Sequence, residues 1–382
     1  MAKTRYIKES VRCMLWGRAA GRCEKCNLPV SWDPQTKVDA NLAEAAHIIG
    51  FSDDGPRPER DIPESAINDI DNLMLLCRLC HSPIVDAKEE EYTVERLRGM
   101  KRRHEDRVER VTAIGQERGS HILLYGANVG DHNPQVSYQV TAPALIPDNR
   151  YPASRTPLTL SMANSTFRDR TSEFWRIESQ QLQAMISQQV QPRLRPGDIE
   201  HLSIFAVAPQ PLLVLLGYLL CDINYNARVY QLHREPPGWA WQGHPDGFSY
   251  TIERPNGATG QPALVLALSA RVANDRVTSR IGDDAAIWRI TIGNPDNDYL
   301  KSARQLQQFR ELIRPLMDEI KNQCPAGTPL NVFLAAPVSV CVELGRAIQP
   351  KAHMPLRLWD ENKNLGGFIH AFDINTTNGG DQ

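Results

Sequence analysis

Four of the eight cysteines form two C-x-x-C pairs, and this spacing constrains the fold more than any other feature of the sequence. The pairs are Cys23 with Cys26 and Cys77 with Cys80. Each pair places two thiolates in one tight turn, and two such turns complete a tetrahedral site for one ion. A thioredoxin-like redox pair would explain one C-x-x-C but not two. The spacing therefore predicts a closed, structural Zn²⁺ site with a folded insertion between its halves.

The other four cysteines are scattered along the chain, which is typical of a reducing cytosol and not of a secreted disulfide framework. They are Cys13, Cys221, Cys324 and Cys341. No stretch approaches the ~18 apolar residues that a membrane helix needs, and the first residues lack the apolar core of a secretory signal. We expect a cytoplasmic protein without a membrane partner.

The length of 382 residues is too great for one compact core, so we expect two or three domains. Apolar residues at helical spacing predict helices over 7–20 and 93–113. The second helix is long and amphipathic, which suits a connector between domains or a dimer seam. We predict a first module over 1–92, a connector helix and linker over 93–119, and a second domain over 120–382.

Beyond residue 120, short apolar and β-branched runs alternate with helical patterns. The predicted strands are 121–125, 202–207, 228–232, 263–268, 287–292, 330–334 and 356–359. The predicted helices are 172–190, 211–220, 297–321 and 338–348. Alternation of this kind indicates α/β architecture with mostly parallel sheets.

This second region contains an internal repeat. The segments Leu202–Pro209 and Leu330–Pro337 match at an offset of 128 residues, and Leu216-Gly217 matches Leu344-Gly345 at the same offset. Each copy is predicted to form a strand, an Ala-Pro turn, a helix with Leu-Gly inside it, and a second strand. Ligands of open α/β sheets bind at the carboxyl ends of strands, so the two Ala-Pro turns should face one pocket.

Three polar residues around the cysteine pairs are candidates for chemistry: His47, Asn72 and His81. Each has a structural alternative, as a core histidine, a turn residue and a zinc ligand respectively. Their order, C-x-x-C, then A-H-I, then N followed by L-C-x-x-C-H, resembles that of the HNH endonuclease family. The resemblance covers roughly residues 20–90.

The HNH resemblance implies a ββα-metal unit in which His47 ends the first strand as general base. Asn72 would open the second strand and hold the loop that orients His47. His81 would start the helix and bind a catalytic Mg²⁺ or Mn²⁺ ion. Many members carry Asp or His before the base, whereas this chain has Ala46. Another oxygen must then complete the metal shell, and the candidates are Glu44 and Asp71.

Positive charge brackets the cysteine region, although the net charge of the chain is −2. Residues 1–25 carry seven Lys or Arg against two Glu, and six more basic residues lie between Arg96 and Arg107. Such runs are commonly solvated helix faces. Beside a nuclease motif they favour contacts to the phosphates of DNA.

Residues from about 120 to the C-terminus resemble the SAVED domain, a sensor of two fused CARF-like units. The resemblance is carried by the F-x-x-A-P turns, the Leu-Gly helices, Val229–Arg234 with Trp239 and Trp241, and Leu356–Asp360. HNH fused to SAVED is the arrangement of a CBASS antiphage effector nuclease. That arrangement implies a cyclic di- or trinucleotide activator made by a partner nucleotidyltransferase, a homodimer at rest, a larger homo-oligomer when active, and a double-stranded DNA substrate.

A cyclic dinucleotide has two bases and two phosphates around a near two-fold centre, which a duplicated pocket matches with one turn per half. Aromatic or proline faces would stack the bases, and Lys or Arg would meet the phosphates. The predicted ligand-binding residues are Pro209, Arg234, Lys301, Pro337, Lys351 and Trp359.

Two other functions remain open at this point. The chain is alternatively a non-enzymatic, zinc-containing DNA-binding regulator gated by a nucleotide, which Ala46 favours. It is alternatively a nuclease whose second domain processes nucleotides, although no nucleophile–base pair stands out after residue 120.

Overall fold

The computed structural model describes residues 6–33, 35–52, 54–58, 62–132, 134, 136–161, 168–194, 198–221, 226–257, 259–350, 352–362 and 366–374. The chain divides into two compact units, Met1–Gly115 and Gln116–Gln382. Each unit has its own core. This boundary falls inside the predicted connector of residues 93–119, because the long helix of that connector packs on the first unit.

The first unit is a small α+β fold around a two-stranded sheet. Its elements are α1 (Glu9–Arg18), β1 (Ala43–His47), α2 (Glu64–Ile67), β2 (Leu73–Cys77) and α3 (Val94–Thr112). A 3-10 turn over Ile70–Asn72 leads into β2, and a π-helical turn over His81–Asp86 follows the second cysteine pair. The sheet is antiparallel, with His47 opposite Leu73 and Ala43 opposite Cys77.

Every residue of β2 is buried, and the sequence of this strand explains why. Leu73 to Leu76 are apolar, and Cys77 lies at the cysteine cluster, so neither face of β2 tolerates water. Helix α3 adds Leu97 to this core. It also places Lys101 beside Glu105 at 2.7 Å and Glu24 at 3.9 Å, and His104 within 3.1 Å of the Ala19 carbonyl.

The second unit is α/β and contains two sheets. Its strands are β3 (Gly119–Gly126), β4 (Tyr151–Pro152), β5 (Leu158–Thr159), β6 (His201–Val207), β7 (Asn226–Val229), β8 (His233–Arg234), β9 (Pro237–Gly238), β10 (Thr251–Glu253), β11 (Pro262–Ala267), β12 (Ala286–Thr291), β13 (Leu330–Ala335), β14 (Leu356–Asn362) and β15 (Gly367–Ile374). Its α-helices are α4 (Tyr138–Thr141), α5 (Ser172–Met185), α6 (Gln191–Leu194), α7 (Gln210–Leu219), α8 (Asn274–Ile281), α9 (Ala303–Gln323) and α10 (Val338–Ala347).

The first sheet is parallel in the order β4-β3-β6-β7, with β5 also beside β3. The second runs β10-β12-β11-β13-β14-β15, and only its outer strands β10 and β15 are antiparallel to their neighbours. A separate small ladder pairs β8 with β9. The prediction of mostly parallel α/β sheets is therefore confirmed, whereas α8, β10 and β15 were not predicted.

The helix predicted over 297–321 begins instead at Ala303. Ser302 caps it, because its hydroxyl accepts the N–H of Gln305 while the Gln305 side chain accepts the N–H of Ser302. The helix predicted over 172–190 ends at Met185 and continues as a π-helical turn to Val190.

The internal repeat corresponds to one reciprocal helix contact. A Cβ atom on Gly217 of α7 would lie 2.0 Å from the Val342 carbonyl oxygen, and one on Gly345 of α10 would lie 2.0 Å from the Val214 carbonyl oxygen. Gly345 follows Gly217 by 128 positions, and Val342 follows Val214 by the same number. The two copies of the repeat therefore meet around a local pseudo-two-fold axis. The helices approach this closely only because glycine stands at both crossing points.

Within the described residues, no helix combines the length and the apolar character that crossing a membrane requires.

Candidate functional sites: a cysteine cluster, a strand-end histidine and a shared cavity

The four cysteines of the two C-x-x-C pairs come together in the first unit. All four sulfur atoms lie within 4.8 Å of one another, and the Cys26 and Cys77 sulfurs are 3.8 Å apart. In a tetrahedral site with metal–sulfur distances of about 2.3 Å, neighbouring sulfurs lie about 3.8 Å apart. The cluster therefore has the donor set and the spacing of a Cys₄ zinc site.

Two thiols of this cluster, those of Cys23 and Cys80, are difficult to ionise without a cation. Burial raises the pKa of Cys23 to about 11, even though three backbone N–H groups point to its sulfur. Burial also raises the pKa of Cys80. A bound dication would reverse this balance by stabilising thiolates, so the chemistry of the donors fits Zn²⁺.

Asn72 fixes the segment that follows His47. Its side-chain oxygen accepts the Ile49 N–H at 2.9 Å, and its amide nitrogen donates to the carbonyls of Ile49 at 3.2 Å and Ile67 at 2.9 Å. The residue is buried immediately before β2. Because His47 lies opposite Leu73, this network sets the backbone at the end of β1.

Asn68, which sequence reasoning missed, orients the ring of His47. The Nε2 atom of His47 lies 2.9 Å from Oδ1 of Asn68. Nδ2 of Asn68 donates to the Tyr6 carbonyl at 3.4 Å, and a carbonyl only accepts. The amide oxygen therefore faces the imidazole, so Nε2 carries the proton and the lone pair resides on Nδ1.

Asp86 and Arg57 complete the surroundings of His81. Oδ2 of Asp86 lies 3.2 Å from Nε2 of His81, while its other oxygen accepts from the Arg57 guanidinium at 2.8 Å. Arg57 also donates to the carbonyls of Ile48 and Val85 at 2.9 and 3.1 Å. One buried guanidinium thus ties the residue after His47 to the turn that carries His81.

The two carboxylates predicted to supplement His81 pair with arginines. Side chains alternate along a strand, so Glu44 and His47 lie on opposite faces of β1, and Glu44 pairs with Arg78 at 3.6 Å. Asp71 is 84% exposed and pairs with Arg18 at 3.6 Å. The carboxylate beside His81 is that of Asp86. The cysteine cluster is the sole set of three or more close metal-ligating side chains in the described part of the chain.

A basic depression of about 470 Å³ adjoins the cysteine cluster. Its cations come from both predicted basic runs, namely Lys25, Arg96, Arg103 and Arg107. The Lys25 ammonium and the Arg96 guanidinium lie over the ring of Tyr92 at 5.5 and 4.7 Å. Lys101 does not belong to this surface, because it is buried in its ion pairs with Glu105 and Glu24.

In the second unit, the two Ala-Pro turns line one cavity of about 620 Å³. Pro209 caps α7 and Pro337 caps α10, and both contribute to its wall together with Arg234. Gln231 bridges the copies, because its oxygen accepts the Ser339 hydroxyl at 2.8 Å. The cavity lies at the carboxyl ends of β6 and β13, where the repeat placed it.

Carboxyl groups also line this shared cavity. Burial, together with the negative charges of Asp169 and Glu361, raises the pKa of Asp360 to about 8. Asp169 accepts the N–H of Gly130 at 2.8 Å. A protonated Asp360 is a hydrogen-bond donor at pH 7 and adds no negative charge that would repel an anionic ligand.

Residues 182–374, more than half of the chain, match a family model described as "SMODS-associated and fused to various effectors sensor domain", abbreviated SAVED. The chain belongs to the SAVED family. Residues 14–83 match the model of an HNH endonuclease. The chain therefore carries an HNH endonuclease domain, the domain of a phosphodiester hydrolase, fused to a SAVED sensor domain.

Solved structures similar to this SAVED protein are distant. An Acinetobacter baumannii Cap4 SAVED/CARF-domain containing receptor with the cyclic trinucleotide 2'3'3'-cAAA is 12% identical, with a TM-score of 0.42 over 75% of this chain and 61% of that one. The Moraxella osloensis Cap4 receptor is 14% identical, with a TM-score of 0.39 over 82% of this chain and 70% of that one. The chain spans 61% to 64% of the length of the three A. baumannii structures. No curated protein matches it.

Two predicted ligand residues of the SAVED domain lie outside the shared cavity. Lys301 pairs with Asp298 at 2.5 Å and donates to the Glu235 carbonyl at 3.0 Å, so it secures the β8–β9 turn. Trp359 stacks on Phe333 at 5.3 Å and donates to Asn331 at 3.0 Å, which is strand packing. Lys351 lies outside the described residues. Pro209, Pro337 and Arg234 do line the cavity.

Proposed function

We propose that the chain is a metal-dependent endonuclease of bacterial antiphage defence that cuts double-stranded DNA when a cyclic oligonucleotide binds its SAVED domain. One observation carries the proposal. The chain contains both a strand-end histidine, His47, whose tautomer is fixed by a hydrogen bond, and a cavity lined by the two related Ala-Pro turns. The first suits hydrolysis, and the second suits a ligand with two similar halves.

His47 is the general base of the proposed reaction. Its Nδ1 lone pair would take a proton from the water that attacks phosphorus. Asn68 holds the proton on Nε2, and Asn72 holds the backbone on which the ring is mounted. Both asparagines therefore act by positioning the imidazole and not by transferring a proton.

His81 and Asp86 would hold a catalytic Mg²⁺ or Mn²⁺ ion. Their donor atoms are 3.2 Å apart, close to the roughly 3 Å between adjacent ligands of an octahedral ion with bonds of about 2.1 Å. Such an ion supplies stabilisation of the charge on the phosphate and on the leaving oxygen. Arg57 would keep the Asp86 carboxylate directed at this position. Asp86 would thus supply the metal-binding oxygen that Ala46, which precedes the base, cannot provide.

The basic depression supports a DNA substrate. Four cations on a concave surface favour a polyanion over a neutral ligand, and phosphate contacts supply most of the affinity of non-specific DNA binding.

The shared cavity supports a cyclic di- or trinucleotide made by a partner nucleotidyltransferase, bound by two fused CARF-like units. A proline face from each copy would flank a base, and Arg234 would meet a phosphate. We further propose a homodimer at rest and a larger homo-oligomer when active. Helix α3 supports self-association. Its apolar stripe begins at the buried Leu97 and continues to Val111, which is 38% exposed and could contact a second copy.

The test is cleavage of supercoiled plasmid by the full chain with Mg²⁺ or Mn²⁺, with and without a panel of cyclic di- and trinucleotides. We expect cutting with one or two members of the panel and none without them. Cleavage without any nucleotide would exclude control of the nuclease by a cyclic nucleotide. A chain that binds the plasmid and a nucleotide but never cuts would be the DNA-binding regulator that Ala46 favours.

A further inference from the structure

A second cavity of the SAVED domain, of about 460 Å³, lies at the opposite end of the first sheet from the Ala-Pro turns. His201 and Asn226, the first residues of β6 and β7, form one side, and the first turns of α9 form the other. This cavity shares no lining residue with the shared cavity described above. It is therefore a separate site.

Four guanidinium groups converge on this arginine-lined cavity, from Arg118, Arg150, Arg228 and Arg310. Two of them have carboxylate partners: Arg228 pairs with Asp148 at 2.9 Å, and Arg310 is 3.8 Å from Glu343. Glu343 is shared, because it also pairs with Arg346 at 2.9 Å. Within the described part of the chain, Arg118 and Arg150 form no ion pair, so positive charge is left uncompensated.

Burial and the excess positive charge both lower the pKa values of two groups in the cavity wall, Arg150 and His201. Burial, and then the charges of Arg118 and Arg228, lower the pKa of Arg150. Burial together with Arg150, Arg118 and Arg228 lowers the pKa of His201 to about 3. Arginines that oppose one another in this way are stabilised when an anion binds between them.

His201 supplies a neutral polar group on the cavity wall. It is 7% exposed, and its Nδ1 lies 2.8 Å from the Ser120 hydroxyl, which in turn lies 2.7 Å from that of Ser203. When Ser120 donates to Nδ1, the proton of the ring is on Nε2, which then serves as a donor. A neutral donor among arginines suits an anion without adding to the charge that repels them.

We propose that this arginine-lined cavity binds a small molecule that carries a polyphosphate group. Guanidinium forks match phosphate oxygens in pairs, and several forks require a ligand with several charges. The cavity volume of about 460 Å³ is that of a small-molecule site. Trp241 in the same wall offers an aromatic surface to a base, so the source is a nucleoside polyphosphate or an inorganic one.

The experiment is isothermal titration of the full chain with inorganic tripolyphosphate, ATP and GTP at fixed ionic strength. Arg150→Ala should weaken polyphosphate binding by roughly tenfold or more, and Arg150→Lys, which keeps the charge but loses the fork, by less. Arg254→Ala is the matched control, since Arg254 of the same unit pairs with Glu319 far from this wall. Arg234→Ala, in the shared cavity, should leave polyphosphate binding unchanged.

The arms of the titration separate the possible sources. Tighter binding of ATP or GTP than of tripolyphosphate identifies a nucleoside ligand, and equal binding identifies the inorganic chain. Thermal unfolding of each variant without ligand shows whether it is folded. The inference is overturned if none of the three anions binds at millimolar concentration, or if Arg254→Ala or Arg234→Ala weakens binding as much as Arg150→Ala.

Discussion

The two units of this chain are held together by different means. The first has a small core to which three of the four clustered cysteines contribute, and its loops are tied by polar groups such as Arg57 and Asn72. The second buries two α/β sheets and a tight pair of helices in an extensive apolar core. We therefore expect the stability of the first unit to depend on a bound metal ion and that of the second unit to depend on its apolar core.

The difference extends to the two sites. In the HNH unit, the candidate catalytic groups lie at the end of a strand and on a helical turn, and a few hydrogen bonds fix their directions. In the SAVED domain, the site is a space between duplicated turns, and its position follows from the symmetry of the helices behind it. Point changes should therefore damage the first site chemically and the second through packing.

The largest expected effect tests the metal dependence of the first unit. Cys77→Ser should remove a ligand and unfold that unit, since structural zinc supplies about 10 kcal/mol or more of folding free energy. The melting transition of the second unit should remain. Cys13→Ser is the matched control, because Cys13 is an exposed thiol of the same unit outside the cluster. Two-transition calorimetry and metal analysis would decide, and a variant that retains zinc and both transitions contradicts the comparison.

His47→Ala should lower the rate of plasmid cleavage by roughly 10²–10⁴-fold, the usual contribution of a general base. Nucleotide binding by the SAVED domain should not change. The control is His370→Ala, an exposed histidine of the second unit that pairs with Asp373. Cleavage by His47→Ala at the parental rate would rule out the proposed base.

Gly217→Ala should destabilise the SAVED domain by about 1–3 kcal/mol or more, because its Cβ would meet the Val342 carbonyl at 2.0 Å. Gly345→Ala should cost a similar amount, because its contact is the symmetry-related one. Gly243→Ala, with no atom near its Cβ position, is the control. Chemical denaturation measures all three, and unequal costs for the paired glycines would break the pseudo-symmetry.

Asn68→Ala should lower the cleavage rate by roughly tenfold, because His47 loses the partner that fixes its tautomer. Asn68→Asp should instead move the acid limb of the pH–rate profile about one unit to higher pH, since a carboxylate favours imidazolium. Asn41→Asp adds the same charge at an exposed position before β1 as a control. A purely structural Asn68 would change the rate without moving the profile.

Asp360 gives the smallest effect, a pH dependence of nucleotide binding. Its pKa in the folded protein, about 8, lies above the ordinary value of 3.8. The folded protein keeps a proton that the unfolded chain releases, so stability falls as pH rises from about 4 to about 8. Binding of an anionic nucleotide should weaken severalfold between pH 7 and 9, and Asp360→Asn should flatten both dependences. Parallel pH profiles for the two proteins would show that Asp360 does not face the ligand.

The sequence was informative where spacing alone determines position. The C-x-x-C pairs predicted the cluster of four sulfurs, and the 128-residue repeat predicted that Pro209 and Pro337 share a cavity. The Leu-Gly pairs belong to the same repeat, but the crossing of the two helices at Gly217 and Gly345 was not predicted from them. These features are properties of the chain that do not depend on loop conformation.

The residues that were missed depend on loops and on an unusual helix. Arg57 lies in an irregular segment with a positive φ of 54°, which no periodicity predicts. Asp86 reaches His81 across five positions because the turn is π-helical, whereas an α-helix brings together residues three or four apart. Lys301 and Trp359 were misplaced because nearby Asp298 and Asn331 engage their polar atoms.

The most direct test of the account is a dose–response curve of plasmid cleavage against the activating cyclic nucleotide, for the parental chain and for Arg234→Ala. The account predicts that Arg234→Ala shifts the half-maximal nucleotide concentration upward by roughly tenfold and leaves the maximal rate unchanged. Such a shift would show that the shared cavity gates the nuclease unit. Identical curves for the two proteins, or cleavage without nucleotide, would contradict the central claim that ligand binding at the duplicated turns controls hydrolysis at His47.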